Sequence, residues 1–315
     1  MITQNYPIDI SDFYEVANQG YCEFDQNGVP LIDYDRVFSL WGKFSGKYFG
    51  KQYNTVAIAQ YGLAAITRLN LSACIEEKSR LKQQIYACTE WLYLNYVESD
   101  NGIYWRYDFD FPPYRVNSGF TSCMSQGFAI SLLFRAHQIF GDLRFYALAI
   151  RARDFFKNEA VDINQVNFVR KFGHLLWFEE YPSNPPSRVL NGYLFAIISL
   201  NDSLNYSADL MIADIVKEAV KELPFILKFY DLGCWSKYDF YPGRTATLTY
   251  HRVHLLQLQY FFVQFECHSL APFLERWSCG NASRYCQFIY RLKSLNPFVK
   301  LTSLCHALKL RYKND

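Results

Sequence analysis

The sequence lacks long hydrophobic runs and a strong net charge, and each absence excludes a class of protein. No apolar stretch reaches the ~18 residues of a membrane-spanning helix, and the first residues lack the basic and apolar regions of a signal peptide. A net charge of +2 gives no general attraction for nucleic acid or acidic membranes. We therefore expect a soluble, cytoplasmic protein with no membrane span and no nucleic-acid partner.

The nine cysteines form no C-x-x-C pair, and the common cofactor motifs are missing. An odd, scattered set of cysteines is typical of reduced thiols rather than of a disulfide framework or a zinc site. There is no glycine-rich phosphate loop, no dinucleotide fingerprint and no serine nucleophile elbow. We expect a protein that requires no cofactor. A structural cation held by loop carboxylates such as Asp108 and Asp110 is an open alternative.

Hydrophobic and aromatic residues are abundant. Half of the 315 residues are hydrophobic, so the chain is long enough and apolar enough for a substantial core. Tyrosine and phenylalanine number 25 and 27. The rings either pad a helical core or line a sugar-binding cleft, where ring faces stack on pyranoses. Aromatic content alone favours the first interpretation.

The residue pattern changes near position 50. Residues 1–50 are rich in Asp, Asn, Gly and Pro, and the turn Asn27-Gly-Val-Pro30 predicts small hairpins or extended segments in an N-terminal arm. Residues 51–315 carry apolar side chains at three- and four-residue spacing, which is typical of helices. The predicted helices are roughly 54–70, 76–96, 123–140, 143–157, 187–204, 207–222, 252–266, 269–277, 281–294 and 298–312.

One connecting segment occurs twice. Residues 100–109 read DNGIYWRYDF, and residues 231–240 read DLGCWSKYDF. Helices joined by repeated connections indicate stacked helical hairpins closed into an (α/α) barrel or toroid, whose long connections form a cleft at one end. Trp105 and Trp235 in these segments either contact a substrate or plug the gaps between hairpins.

Carboxylates and phenols cluster at positions that suit proton transfer. Glu179, Glu180 and Tyr181 stand before Pro182, and Tyr238 and Tyr250 follow further along the chain. A phenol has a pKa near ~10 and needs a cation or preorganised hydrogen bonds to act as a base near neutrality. The pattern indicates an acid/base site. The alternatives are that Glu179 caps the following turn or faces solvent and that Tyr181 only packs against Pro182.

His251 and His254 are three residues apart near a predicted helix start. This spacing suits a metal ligand pair, but no Cys, Asp or Glu accompanies them in the motif. Hydrogen-bonded structural histidines are therefore the favoured interpretation.

Several of these segments together resemble a known family. The chain, from about Ile58 to Trp277, resembles the C-terminal catalytic region of D-glucuronyl C5-epimerases, which convert glucuronate to iduronate within heparan-type polysaccharides. The resemblance rests on segments in the family's order: 58–63 (IAQYGL), 124–131 (MSQGFAIS), 178–182 (FEEYP), 189–192 (VLNG), Tyr238-Asp239, Tyr250-His251, His254 and 257–259 (QLQ). It implies an (α/α) barrel and a heparosan-like or heparan sulfate-type anionic uronate polysaccharide as the partner.

The resemblance also implies roles for individual residues. Glu180 and Tyr250 correspond to the catalytic pair on the two faces of the sugar ring, with Tyr238 and Tyr181 as supporting or alternative proton carriers. Which of the pair removes the first proton stays open. The weaker candidates for substrate contact are Trp105, Gln126, Arg188, Asn191, Arg244 and His251.

The chain departs from the family at two points. Animal members insert a β-sandwich-like region after the segment matching 58–63, so this chain looks like a minimal, microbial form. Members with an animal-type site carry an Arg where this chain has Tyr241. Arg244 or Arg188 is then expected to substitute in recognising the substrate's carboxylate or sulfate.

Other functions stay open at this level. A uronate polysaccharide lyase begins with the same removal of the C5 proton, and a non-catalytic carbohydrate-binding protein would keep the aromatic cleft without the reaction. An epimerase acting on another uronate polysaccharide would share fold and chemistry. A homodimer is compatible with the sequence.

Overall fold

The computed structural model describes residues 5–18, 22–39, 48–158 and 168–294. Within these ranges the chain is mainly helical, which confirms the mainly α part of the predicted fold class. The helices are α1 (Ser11–Val16), α2 (Tyr34–Ser39), α3 (Thr55–Leu71), α4 (Ile75–Leu94), α5 (Cys123–Phe140), α6 (Leu143–Asp154), α7 (Leu190–Ser203), α8 (Leu210–Leu227), α9 (Leu248–Gln264), α10 (Ala271–Ala282) and α11 (Arg284–Ser294).

The burial of the helices separates an inner set from an outer set. Every residue of α5 from Cys123 to Ala136 is buried, as is every residue of α7 from Leu190 to Leu200. In contrast, α4 buries a single stripe that includes Leu81, Ile85 and Leu92. A helix that is apolar all round needs neighbours on every side, whereas an amphipathic helix covers the surface.

The helices pack as a row of hairpins. The inner helices α3, α5 and α7 contact one another in sequence order, and α7 also contacts α9. Each inner helix packs against the helix that follows it: α3 against α4, α5 against α6, α7 against α8 and α9 against α10. This is the hairpin arrangement that the sequence predicts. Closure of the row into a complete barrel stays a prediction.

The N-terminal arm contains short strands, as its composition predicts. Strands β1 (Glu23–Phe24), β2 (Pro30–Asp33) and β3 (Lys51–Tyr53) form an antiparallel sheet in the order β1-β2-β3. Helix α1 packs on α3. The division into an arm at 1–50 and a domain at 51–315 stays a prediction, although β3 lies at this boundary and joins the arm's sheet.

Three further hairpins occur in the connections between helices. They pair β4 (Val97–Ser99) with β5 (Gly102–Tyr104), β6 (Arg106–Tyr107) with β7 (Phe120–Thr121), and β8 (Val169–Phe172) with β9 (Leu175–Phe178). The predicted helix at 298–312 lies outside the described residues. Among the helices that the structure describes, none is both long and apolar enough to cross a membrane.

Candidate active site

A cavity of about 540 Å³ opens at the end of the row where the inner helices begin. Its wall includes Asn54 before α3, Ser122 before α5, Asn191 in the first turn of α7 and Tyr250 in the first turn of α9. The N-terminus of a helix carries a partial positive charge. Because four inner helices begin at this cavity, their dipoles together favour an anionic ligand.

Glu179 and Glu180 follow strand β9 and lie on opposite sides of the chain. Glu180 lines the cavity, whereas Glu179 is fully buried and its Oε2 accepts hydrogen bonds from Ser187 Oγ (3.0 Å) and Arg188 N (2.9 Å). This alternation is the two-residue period of an extended backbone. Glu179 therefore holds the 183–188 loop, in line with the turn-capping alternative. Glu180 is the buried carboxylate of the cavity, whereas Asp9 and Asp12, also on its wall, are exposed.

Burial controls the protonation of Glu180. Its side chain is 6% exposed, and removal from water, reinforced by the charges of Glu179 and Asp239, raises the pKa of Glu180 to about 7. Asn191 Nδ2 lies 3.5 Å from Glu180 Oε2. A carboxyl group with a pKa near neutrality exists in both protonation states there, which suits it to accept and return a proton.

Tyr250 enters the same cavity from α9, with Tyr238 directly behind it. The two rings are 4.6 Å apart at 56°. Burial raises the pKa of Tyr250 to about 12, with a smaller opposing effect from its hydrogen bond with Tyr238. Tyr250 therefore remains protonated at neutral pH. Tyr238 is buried and supports Tyr250 from outside the cavity wall.

Tyr181 lines the cavity from within an aromatic stack. Its ring lies 4.3 Å from that of Phe111 and 4.6 Å from that of Tyr114, nearly parallel to both. The partner rings lie in the 100–120 connection, so the stack joins that connection to the segment that carries Glu180. The ring of Tyr181 thus packs between two connections.

Asn191 is the predicted substrate contact that the structure brings into the cavity. It is 1% exposed, and its backbone oxygen accepts a hydrogen bond from Gln257 Nε2 (2.9 Å). No described residue donates to its Oδ1, and the Oγ of Ser122 on the same wall also has no partner among the described residues. Buried polar atoms are normally hydrogen-bonded, so these two are suited to the hydroxyl groups of a ligand.

Trp105, Gln126 and His251, three of the predicted substrate contacts, lie outside the cavity wall. Trp105 is fully buried and donates to Leu92 O (2.9 Å), and Gln126 Nε2 donates to Ile103 O and Ala152 O. The ring of His251 stacks on Trp235 at 3.9 Å. In the structure the three side chains join hairpins in the interior, and the packing favours the gap-filling interpretation of Trp105 and Trp235.

Arg188 and Arg244, the expected substitutes for the family's arginine, also lie away from the cavity. Arg188 packs over the ring of Phe172 at 4.1 Å, and Arg244 Nε pairs with the fully buried Asp239 at 2.7 Å. Tyr241, at the position of that arginine, is 49% exposed. Within the described ranges, no Lys, Arg or His side chain lines the cavity. The wall offers helix N-termini and neutral hydrogen-bond donors instead of an arginine.

The histidine pair and the acidic loop residues have protein partners. Ser236 Oγ lies 2.8 Å from Nδ1 of both His251 and His254, which agrees with hydrogen-bonded structural histidines. Asp108 pairs with Arg106 (2.8 Å), and Asp110 accepts from Ser118 N (2.9 Å). Among the described residues, no three His, Cys, Asp or Glu side chains are grouped to hold a metal ion.

The sequence reasoning missed several cavity residues, among them Tyr34, Asn54 and Tyr107. Tyr34 comes from α2 in the arm, Asn54 caps the start of α3, and Tyr107 lies in the first copy of the repeated connection, at the position of Tyr238 in the second. The repeated segment could have predicted Tyr107, because equivalent positions in two copies tend to face the same end of the fold. The residues around Tyr34 form no motif that predicts a place in the cavity.

Comparison with known proteins identifies the family. The family model described as D-glucuronyl C5-epimerase C-terminus matches residues 99–279. An uncharacterized protein of Methanocaldococcus jannaschii is 28% identical over 179 residues, which are 56% of this chain and 57% of that protein. A D-glucuronyl C5-epimerase of Caenorhabditis elegans is 30% identical over 178 residues, which are 50% of this chain and 28% of the worm protein.

The chain therefore spans less than two thirds of the length of either curated relative. The family match begins after the arm and contains Glu180, Tyr238 and Tyr250. It extends over more than half of the 315 residues, and the chain belongs to the D-glucuronyl C5-epimerase C-terminus family.

Proposed function

We propose that this protein is an isomerase that converts D-glucuronate to L-iduronate residues within a heparosan-like polysaccharide. The observation that carries the proposal is the meeting of Glu180, from the connection after β9, and Tyr250, from the first turn of α9, in one cavity. Epimerisation at C5 needs a base on one face of the sugar ring and an acid on the other. Family membership supports the reaction class.

Glu180 is proposed as the base and Tyr250 as the acid for the glucuronate direction. With a pKa of about 7, Glu180 is partly ionised at neutral pH, whereas the raised pKa of Tyr250 keeps that phenol protonated. The C5–H bond breaks, its proton passes to Glu180 and its electron pair moves into the carboxylate to form an enediolate. Tyr250 then donates a proton to C5 from the opposite face, and the electron pair returns to form the new C–H bond.

This step leaves Glu180 protonated and Tyr250 ionised, and proton exchange with solvent resets both. The enediolate carries extra negative charge on the carboxylate oxygens. The four helix N-termini around the cavity and the neutral donors on its wall are suited to stabilise this charge. No step in this sequence requires a metal or an organic cofactor.

The test is incubation of the protein in deuterated water with heparosan and, separately, with its N-sulfated form. NMR at the uronate C5 position should show deuterium and some iduronate, and Glu180→Gln and Tyr250→Phe should each abolish both signals. A lyase would instead give an unsaturated product that absorbs in the ultraviolet. Binding of the polymer without deuterium uptake by the unmodified protein would refute the epimerase and leave a carbohydrate-binding protein.

A further inference from the structure

The arm brings a buried phenol into the cavity from outside the region that the family model matches. Tyr34 is the first residue of α2, is 4% exposed and lines the cavity that contains Glu180 and Tyr250. Its ring packs against those of Phe109 (4.2 Å) and Phe38 (5.2 Å). The ring is therefore held in a fixed position on the cavity wall.

The hydrogen bonds of Asn54 determine which way the Tyr34 hydroxyl points. Asn54 Oδ1 accepts from Ala57 N (3.1 Å), and a backbone N–H group can only donate. This contact fixes the orientation of the amide, and Oδ1 also accepts from the Tyr107 hydroxyl (3.3 Å). The other end of the amide, Nδ2, must then donate to the hydroxyl oxygen of Tyr34 (2.5 Å).

The Tyr34 hydroxyl hydrogen is consequently left for another acceptor. It is not used by Asn54, and no described residue accepts it. A chain of hydrogen bonds that runs from Tyr107 through Asn54 to Tyr34 polarises the last hydroxyl and makes it a better donor. Burial, reinforced by the charge of Glu180, raises the pKa of Tyr34, so the hydroxyl keeps its proton at neutral pH.

We propose that Tyr34 is a further substrate-contacting residue, whose hydroxyl donates a hydrogen bond to the uronate carboxylate and to the enediolate formed from it. The inference rests on the proposed function. The carboxylate is attached to C5, the atom that Glu180 and Tyr250 act on, and Tyr34 lines the same cavity as both. Hydrogen bonds to ionised acceptors are roughly twice as strong as those between neutral groups, so the carboxylate competes best for this donor.

The test is Tyr34→Phe, which removes the hydroxyl and keeps the ring. Tyr14→Phe is the matched control, because Tyr14 is also a buried tyrosine of the arm, but its hydroxyl donates to Gln84 (3.2 Å) outside the cavity wall. Each variant is assayed for deuterium uptake at C5 of heparosan. Each is also titrated with a heparosan oligosaccharide and with the same oligosaccharide after reduction of its carboxyl groups to alcohols.

We expect Tyr34→Phe to lower kcat about 100-fold, the usual effect of removing one donor to a developing oxyanion. Its affinity for the heparosan oligosaccharide should fall about tenfold, within the range for a hydrogen bond to a charged group. Its affinity for the carboxyl-reduced oligosaccharide should be unchanged. Tyr14→Phe should match the unmodified protein in all three measurements.

The outcomes separate this inference from the proposed function. Unchanged turnover and binding in Tyr34→Phe would overturn the role of Tyr34 and leave the epimerase intact. Equal losses for both oligosaccharides would overturn the contact with the carboxylate. If the unmodified protein binds heparosan oligosaccharide without C5 exchange, the epimerase fails, while selective loss of uronate binding in Tyr34→Phe still supports the contact. If it binds neither oligosaccharide, both proposals fail.

Discussion

Gly192 on α7 leaves the space that the Glu180 side chain occupies. A Cβ atom at position 192 would lie 2.5 Å from Glu180 Oε2, 2.6 Å from its Cβ and 3.0 Å from its Cγ. The first two distances are too short for non-bonded atoms. Since one of them involves the Cβ of Glu180, rotation of the carboxylate alone cannot relieve the overlap. In Gly192→Ala the whole Glu180 side chain must move.

The effect on stability and the effect on activity should differ in size. Overpacking a well-packed interior costs about 1–3 kcal/mol. Replacing Gly by Ala inside a helix stabilises the fold by about 1 kcal/mol, because Ala has the higher helix propensity. The net loss in the free energy of unfolding is therefore about 0–2 kcal/mol. A 1 Å displacement of a catalytic group costs about 100-fold in rate, so turnover should fall far more than stability.

Gly127→Ala supplies the matched control. Gly127 lies in α5, where a Cβ would meet Ser199 Oγ at 2.9 Å and Ser199 Cβ at 3.0 Å, away from Glu180. In urea unfolding, neither variant should lose more than about 2 kcal/mol, with the smaller loss in Gly127→Ala. C5 deuterium exchange should fall about 100-fold only in Gly192→Ala. If Gly192→Ala exchanges deuterium as fast as Gly127→Ala, the placement of Glu180 against Gly192 is wrong.

Two other changes test the electrostatics of the interior. Burial raises the pKa of Glu180 from 4.5 to about 7, so the folded state favours the protonated carboxyl group. The contribution of this group to the free energy of unfolding is complete below pH 4.5 and is lost as the pH rises through about 7. In urea unfolding, Glu180→Gln should therefore be more stable than the unmodified protein at pH 8 by up to about 3 kcal/mol, and this difference should disappear near pH 4. A difference that does not depend on pH would contradict the raised pKa of Glu180 as its cause. Asp202→Ala breaks the buried ion pair with Arg135, in which both side chains are at most 1% exposed, and should cost about 3–5 kcal/mol. Neither residue lines the cavity, so exchange per folded molecule should persist; a loss of exchange without a loss of stability would contradict this role.

The sequence predicted the helices well because their apolar periodicity reflects local geometry. The predicted helix at 123–140 coincides with α5, and those at 54–70 and 76–96 differ from α3 and α4 by one or two residues. The hairpin of β8 and β9 was not predicted. Short apolar runs such as Leu175–Phe178 do not distinguish a strand from part of a buried helix.

That missed hairpin matters for the site. An extended backbone at the end of β9 directs Glu179 toward the 183–188 loop and Glu180 toward the cavity. Sequence proximity could not assign these two roles, because adjacent carboxylates have the same composition and neighbours. The assignment of Glu180 came from the family resemblance.

The sequence by itself determined the chemical groups and the local elements: helical hairpins, a loop-rich arm, and carboxylate and phenols in a family-specific order. Only the tertiary structure decided which groups share a cavity. It gave Arg188 and Arg244 protein partners outside the cavity wall, placed Tyr34 of the arm on that wall and brought four helix N-termini to the cavity that contains Glu180. The physical reason is that helix formation depends on neighbours three or four residues apart. Burial, hydrogen-bond direction and pKa depend on residues that are distant along the chain and meet only when the helices pack.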